Sequence, residues 1–456
     1  MPTWGCVSSQ PDWWLGVSSA VGYGIDFGTS NSSISIAYDD GQVEVLRVGA
    51  GDMPDSLPSI SYLHRDGNRL AGEDAVNEYL ITGPNRTACD RCSLVRDDVG
   101  GRYSDCRQFD PGGFCSDSRL MYGLKSELAN DLFKSTHSWA VDFEMRDLVS
   151  IVLGDLKARA DAHVDADIDK AVIGMPVAFV GTERGDFGAL QELGESRLVE
   201  SAYSAGFDEV DLLPEPAAAI LDQPLEPGIS MALDFGGGTF DVAVIEMPDV
   251  GGGAEVIGLQ GAAVGGTEFD GLLFDYAVAS EIGVDQRIPA AYRKSLRTLM
   301  GVRALLSDKS LRGVLGRARQ DGTDTEAIEE ILFGGHAFAF YKAIESAKVA
   351  LSESEQTRIE FTRPGVRVDC SIERSEFESL IEPHIAAVQR AIGNALEEAE
   401  VSAGEVHTVV RTGGSSKIPK FLDLIGDIFP RAEMRELPVF TAVAQGLGYK
   451  AMVRWR

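Results

Sequence analysis

The sequence predicts an α/β protein of two duplicated halves that close on a phosphate-binding cleft. Three observations carry this prediction. The tripeptide Asp-Phe-Gly occurs at Asp26 and again at Asp234, 208 residues later. Each copy opens a strand–turn–strand pattern, GIDFGTSNSSISIA over Gly24–Ala37 and MALDFGGGTFD over Met231–Asp241, with alternation continuing to Glu246. A period of that length is too great for a solenoid and suits two facing halves.

The turns supply the chemistry. Glycine permits positive φ and close backbone approach, and successive N–H groups in a turn form a concave anion site. Gly28 with Thr29, Ser30 and Asn31 provides one such turn, and Gly236, Gly237, Gly238 and Thr239 the other. Asp26, Asp234 and Asp241 flank them. Carboxylates there would repel a bare phosphate but hold magnesium against it, directly or through its waters. Taken alone, the second turn is equally a plain glycine-rich hairpin.

Composition narrows the field. At 456 residues the chain suits two to three domains or two large lobes, and its 44% apolar content is enough for ordinary cores. Seventy-one acids against 41 bases give a formal charge of −30, which disfavours nucleic acid and anionic membranes. A phosphate ligand must therefore be held locally, by backbone donors, a lysine and a metal. No apolar run reaches the roughly 18 to 20 residues of a membrane span. The first 24 residues contain no Lys or Arg, unlike a secretory signal. The expectation is a soluble cytoplasmic protein.

Taken in order, residues 1–20 read as an extension carrying Trp4, Trp13 and Trp14 without sustained period. A strand-like segment follows Leu57, then a helix over Gly72–Leu80. The insertion at about 83–118 is rich in Gly, Asp and Cys. Its Cys89, Cys92, Cys106 and Cys115 admit a zinc site, since Cys-x2-Cys is a common half-site, or incidental surface thiols. Lys125 lies in the mostly uncharged Arg119–Leu128 and reads by itself as a solvated helix-end lysine. A helix over Arg146–His163 leads to a strand, Lys170–Met175, stopped by Pro176. A helix over Asp186–Ala205 and a strand over Val210–Leu213 follow. Pro216 suits a first helical turn and Glu215 a helix N-terminus, so a structural cap is the plain interpretation of Glu215.

Ala262–Asp270, AAVGGTEFD, brings another glycine pair, Gly265 and Gly266, followed by acids. Residues 271–335 are mainly helical. In His336–Ser352, Phe340, Ile344, Ala347 and Leu351 share one helical face and Glu345, Lys348 and Ser352 another. The polar stripe is either a solvated face or a surface for a purine and its ribose. Thr408–Lys417 is a strand ending in Gly413, Gly414 and Ser415, where a helix start offers free N–H groups. Ile418, Phe421, Leu422, Ile425 and Phe429 pattern the next helix, and the last covers about Thr441–Trp455. Neither G-x-x-x-x-G-K-[ST] nor G-x-G-x-x-G is present, and neither a Ser–His–Asp order nor HExxH is evident.

The order of these motifs resembles the ATPase domain of DnaK-type heat-shock chaperones over about residues 22–456. The motifs are DFGTSNS, Lys125, Glu215-Pro216, DFGGGTFD, VGGTEFD, ESAKVALS and TGGSSKIP. The resemblance implies an actin-like, two-lobed ATPase fold of duplicated ribonuclease-H-like halves enclosing ATP and Mg2+. It implies lobe I over 21–228, completed by 436–456, and lobe II over 229–435. Gly28, Thr29, Ser30 and Asn31 then correspond to the first phosphate loop. Gly236, Gly237, Gly238 and Thr239 correspond to the second, with Thr239 near the terminal phosphate. Lys125 corresponds to the lysine that positions water and γ-phosphate. Asp26 and Asp234 stand at hydrated magnesium, and Glu215 and Asp241 support the metal and water network. Gly265, Gly266, Glu345, Lys348, Ser352, Gly413, Gly414 and Ser415 correspond to the nucleoside pocket.

Three positions depart from the family pattern. Phe440 replaces an acid, Lys417 replaces an arginine over the adenine, and Val349 replaces another arginine. The chain also resembles the short YegD-type branch without a peptide-binding domain. The implied function is slow Mg-dependent ATP hydrolysis, with lobe closure acting as a switch for a protein partner or co-chaperone. The alternatives are a small-molecule kinase of the same superfamily and a nucleotide sensor or assembly protein without turnover.

Overall fold

Two mixed sheets, one of six strands and one of five, share the same order over five strands and organise the molecule. The computed structural model describes residues 18–50, 53–63, 68–82, 119–138, 141–182, 185–221, 223, 225–248, 254–306, 308, 310–439 and 441–456. The 83–118 insertion with Cys89, Cys92, Cys106 and Cys115, most of the 1–20 extension, and Phe440 therefore lie outside the described residues.

In the first half the chain forms β1 (Ala20–Phe27), β2 (Asn31–Tyr38), β3 (Val43–Val45), β4 (Leu57–Pro58), β5 (Ile60–Leu63) and β6 (Arg69–Ala71). Then come α1 (Gly72–Thr82), β7 (Arg119–Tyr122), β8 (Thr136–Ser138), β9 (Val141–Phe143), α2 (Met145–Val164), β10 (Lys170–Met175), α3 (Phe187–Ser204), β11 (Glu209–Pro214) and α4 (Glu215–Leu221). The second half has β12 (Gly228–Phe235), β13 (Phe240–Met247), β14 (Glu255–Ala262), α5 (Gly266–Leu273), α6 (Ala290–Ser295), α7 (Leu299–Leu306), α8 (Leu311–Gln320), α9 (Glu326–Phe333) and α10 (Ala337–Glu353). It continues through β15 (Gln356–Arg363), β16 (Val366–Glu373), α11 (Arg374–Glu398), β17 (Val406–Thr412), α12 (Pro419–Ile428), β18 (Glu433–Glu436) and the final helix α13 (Ala442–Trp455).

The first sheet runs β11-β10-β1-β2-β3, with β4 also pairing β2; the second runs β18-β17-β12-β13-β14. Pairing senses match strand for strand. The meanders β1-β2-β3 and β12-β13-β14 are antiparallel, while β10 and β11, like β17 and β18, join in parallel. This mixed α/β duplication is the actin-like two-lobed ATPase fold. In register, Asp26 faces Ser33 and Asp234 faces Asp241, so both Asp-Phe-Gly copies end a strand at a hairpin turn.

The cores explain the apolar runs. Tyr23, Ile25 and Phe27 of β1 are fully buried in the first half. Phe235, Phe240 and Phe421 meet edge-on in the second, at centroid separations of 5.1 to 5.9 Å. A third cluster joins both sheets through Val172, Ala232, Ala243 and Leu447. Small residues make that junction possible. A Cβ on Gly24 would fall 2.1 Å from the Gly448 nitrogen, and one on Gly446 would fall 1.7 Å from the Ala218 carbonyl oxygen. Helices α4 and α13 therefore cross at backbone contact.

Two stretches differ from the pattern-based expectation. Between Ser352 and Thr408, where no element is assigned from pattern, the chain forms the β15–β16 hairpin and the 25-residue α11, with Pro383 inside the helix. Gly365 at φ 75° makes the hairpin turn. Gly413 and Gly414 do not open a helix directly. Gly413 takes φ 84°, a 3₁₀ turn covers Gly414–Lys417, and α12 starts at Pro419.

Candidate functional site

The open ends of the two hairpins face one another across a cleft of about 490 Å³. Gly28, Thr29, Ser30 and Asn31 line it from the first half; Gly236, Gly237, Gly238 and Thr239 line it from the second. The loops nearly touch. A Cβ on Gly237 would lie 3.4 Å from Ser30 Oγ, and one on Gly238 would lie 3.1 Å from Thr29 Oγ1. The Gly236 N–H donates to the Thr239 carbonyl at 3.0 Å and closes the second turn.

At the floor lies a buried charge cluster. Gly123, at φ 67°, launches the 3₁₀ turn Leu124–Glu127 that carries Lys125. Lys125 Nζ donates to Glu215 Oε1, the first residue of α4, and the two residues are only 7% and 5% exposed. That burial removes the plain interpretation of Lys125 as a solvated lysine, while Glu215 does stand in the first turn of its helix, as a cap would. Asp26 and Asp234 line the same floor. Their carboxyls are pushed well above the usual range, first by burial and then by the Glu215 charge, against the pull of Lys125. Asp241 is raised to about 7, chiefly by burial. Burial alone would lower the Lys125 ammonium, but Glu215, Asp26 and Asp234 hold it above its ordinary value. Four carboxylates thus share one lysine.

Asp241 itself does not line the cleft. Its Oδ1 accepts from the Val177 N–H at 2.8 Å and its Oδ2 from the Thr239 hydroxyl at 2.7 Å. Thr239 therefore stands between Asp241 and the open space. Gly265 is also set back. A Cβ there would lie 2.5 Å from the Gly237 carbonyl oxygen, so it backs the second loop instead of facing a ligand.

The other end of the cleft is built by α5, α10 and the Gly413–Lys417 turn. Gly266, Glu345, Lys348, Ser352, Gly413, Gly414 and Ser415 all line it, so the polar stripe of α10 faces the cleft. Lys348 Nζ donates to the Gly266 carbonyl at 3.0 Å and to Asp270 Oδ2 at 3.1 Å. Lys342 donates to Glu345 at 2.8 Å. Ser415 Oγ donates to the Gly236 carbonyl at 2.9 Å, tying this turn to the second loop. Sequence reasoning missed Asp270, Thr267 and Lys342, which also line the cleft. Asp270 was readable in principle, because it lies one helical turn after Gly266 on α5. Burial raises its carboxyl to about 6 despite Lys348. Of the departures, Val349 lines the cleft at 58% exposure, and Lys417 lines it with its ammonium 3.6 Å from Glu436.

This arrangement has clear chemical capacity. Two glycine loops offer donors to a polyanion, and the acid excess invites a cation. Asp26 and Asp234 fit a hydrated magnesium ion, which keeps several waters and takes one or two carboxylates. Among the described residues, no three His, Cys, Asp or Glu side chains group closely enough to hold an ion by themselves. No described helix is long and apolar enough to cross a membrane. A family model described as Hsp70 protein matches residues 22–304 and 338–455, which include both loops, Lys125, Glu215 and all of α10 but its first residue.

Proposed function

The chain belongs to the Hsp70 protein family, a family of chaperone-like ATP-binding ATPases, and from that premise we propose that it binds Mg-ATP in this cleft and hydrolyses it slowly. Closure of the two halves on the nucleotide then serves as the signal to a protein partner, a client or a co-chaperone. The observation that carries this is the buried Lys125–Glu215 pair set among Asp26, Asp234 and Asp241 between two glycine loops.

The proposed roles follow from position. The loops around Gly28 and Gly236 hold the phosphates through backbone N–H groups. The Lys125 ammonium faces the charge that develops on the transferred group, in a dry site where such an interaction is strong. Asp26 and Asp234 hold the magnesium, which supplies charge neutralisation at the phosphates. Glu215 fixes the Lys125 ammonium and, with it, orients the attacking water. Thr239 spends its hydroxyl proton on Asp241, so its oxygen is left to accept from water. The water oxygen bonds to the γ-phosphorus as the bond from that phosphorus to the bridging oxygen breaks, releasing ADP. At the same time the water's proton passes to Thr239 Oγ while the Thr239 proton moves to Asp241. A carboxyl held near 7 suits that task at neutral pH. Glu345, Lys348, Ser352 and the Gly413–Ser415 turn hold the nucleoside.

Lys125→Ala tests the mechanism. Phosphate release should fall about 10²- to 10³-fold, the usual cost of removing one transition-state donor, while ATP affinity changes only a few-fold. Turnover equal to the parent protein would refute the assignment. ATP consumption that appears only with an added metabolite would support a small-molecule kinase instead, and binding without any release in the parent protein would support a sensor.

A further inference from the structure

We infer that a second cavity beside the cleft is a binding site for a small organic cation, an ammonium group carried on an aromatic or aliphatic body. The cavity measures about 260 Å³. An apolar cavity of roughly 150 Å³ holds one benzene ring, so this one has room for a ring and a short chain. Its walls come from both halves: Ile60, Val76 and Tyr122 from the first, Leu299, Phe338 and Tyr341 from the second. The outer end is bridged by Tyr79, whose hydroxyl donates to the Gly335 carbonyl at 3.1 Å and whose ring meets Phe338 edge-on at 6.4 Å.

The inner end sets the charge of the occupant. Ser30, Asn31, Asp270 and Glu345 line both this cavity and the larger cleft, so the two spaces adjoin. Asp270 Oδ1 is buried and lies 3.0 Å from the Lys348 ammonium without hydrogen-bond geometry, which leaves a carboxylate lone pair open. Tyr122, already raised by burial, has its phenol pushed further up by the charges of the same two carboxylates, Glu345 and Asp270. Arg297 and Lys342 also line the cavity, but the Arg297 guanidinium is committed to Glu268 at 3.0 Å and Asp275 at 2.8 Å, and the Lys342 ammonium to Glu345 at 2.8 Å. An ammonium at this end meets the open Asp270 Oδ1 and aromatic faces, both of which attract it; a carboxylate would find every lining cation already paired.

Occupancy and nucleotide binding should be linked. A cation here lies beside the Ser30–Asn31 loop proposed to hold phosphates, and its body touches both halves. Each ligand then tightens the other by the same factor. Only this coupling rests on the nucleotide reading; the cavity and its charge do not.

The test is calorimetric titration of the full chain with phenethylammonium chloride, with and without MgADP, and with phenylacetate as the charge control. Phenethylammonium should saturate at least tenfold more tightly than phenylacetate, and MgADP should strengthen its binding at least threefold. Leu299→Trp fills the cavity and should weaken phenethylammonium at least tenfold. Val76→Trp is the second filling variant should Leu299→Trp fail to fold. Equal binding of the two probes, no saturation, or undiminished binding in a folded filling variant overturns the site. Indifference to MgADP in a protein that binds MgADP overturns the coupling. A protein that binds MgADP but not phenethylammonium loses this inference and keeps the nucleotide reading. Saturable phenethylammonium binding without nucleotide binding upholds the site and removes that reading.

Discussion

Gly265→Ala gives a sharp test of how the second loop is held. Gly265 sits at φ −162°, an extended conformation open to any residue, so alanine introduces no backbone strain. The perturbation is purely steric. The new methyl carbon would lie 2.5 Å from the Gly237 carbonyl oxygen and 2.6 Å from the Gly238 nitrogen, all backbone atoms that cannot rotate away. Ordinary contact begins near 3.4 Å, so the phosphate loop must retreat by roughly 0.9 Å. A misplacement of about 1 Å at a positioned group costs on the order of 100-fold, and overpacking itself costs about 1 to 3 kcal/mol of stability. Gly414→Ala is the control, since that glycine lines the same cleft but its Cβ would meet nothing within 4 Å. Single-turnover phosphate release, with thermal unfolding measured alongside, reads both effects. The rate should drop about 100-fold in Gly265→Ala and stay within threefold in Gly414→Ala. A parental rate in Gly265→Ala, or equal losses in the two variants, would refute the claim that Gly265 works by backing the loop.

Two further outcomes follow from the acid cluster. Asp241 and Asp270 have folded-state values of about 7 and 6 against an ordinary 3.8. A raised carboxyl favours the fold while both states are protonated, and that contribution is lost as pH climbs through the folded value. Nucleotide- and metal-free protein should therefore lose a few kcal/mol between pH 4 and pH 8, read by denaturant midpoint, and Asp241→Asn should flatten part of the slope; an unchanged slope in that variant would count against the shift. Chelating magnesium should weaken ATP binding at least tenfold, and Asp26→Asn with Asp234→Asn should abolish the metal dependence; equal ATP affinity with and without magnesium in the parent protein would remove the metal from the site.

Helix α10 shows both the reach and the limit of pattern reading. Its apolar face at Phe340, Ile344, Ala347 and Leu351 is legible at helical spacing, and all four residues are buried. The opposite stripe was ambiguous, because a solvated face and a ligand face share the same spacing. The β15–β16 hairpin and α11 escaped notice although the Pro364-Gly365 turn dipeptide was visible. The two strands do alternate, with Ile359, Phe361, Val366 and Val368 buried between exposed polar residues, so this hairpin was legible from the residues alone.

What the sequence determined by itself is the duplication: two Asp-Phe-Gly hairpins, each set by alternation and a glycine turn, which are local properties and survive without a partner. Only the tertiary structure decided what those hairpins face. Lys125 and Glu215 are 90 residues apart and meet because a left-handed glycine aims one turn while α4 presents its first residue. Asp241 finds its second donor 64 residues away, at Val177. Gly265 proved to be support behind a loop and not a wall of the cleft. Such approaches depend on how sheets and helices stack across the chain, and stacking leaves no period in the sequence to read.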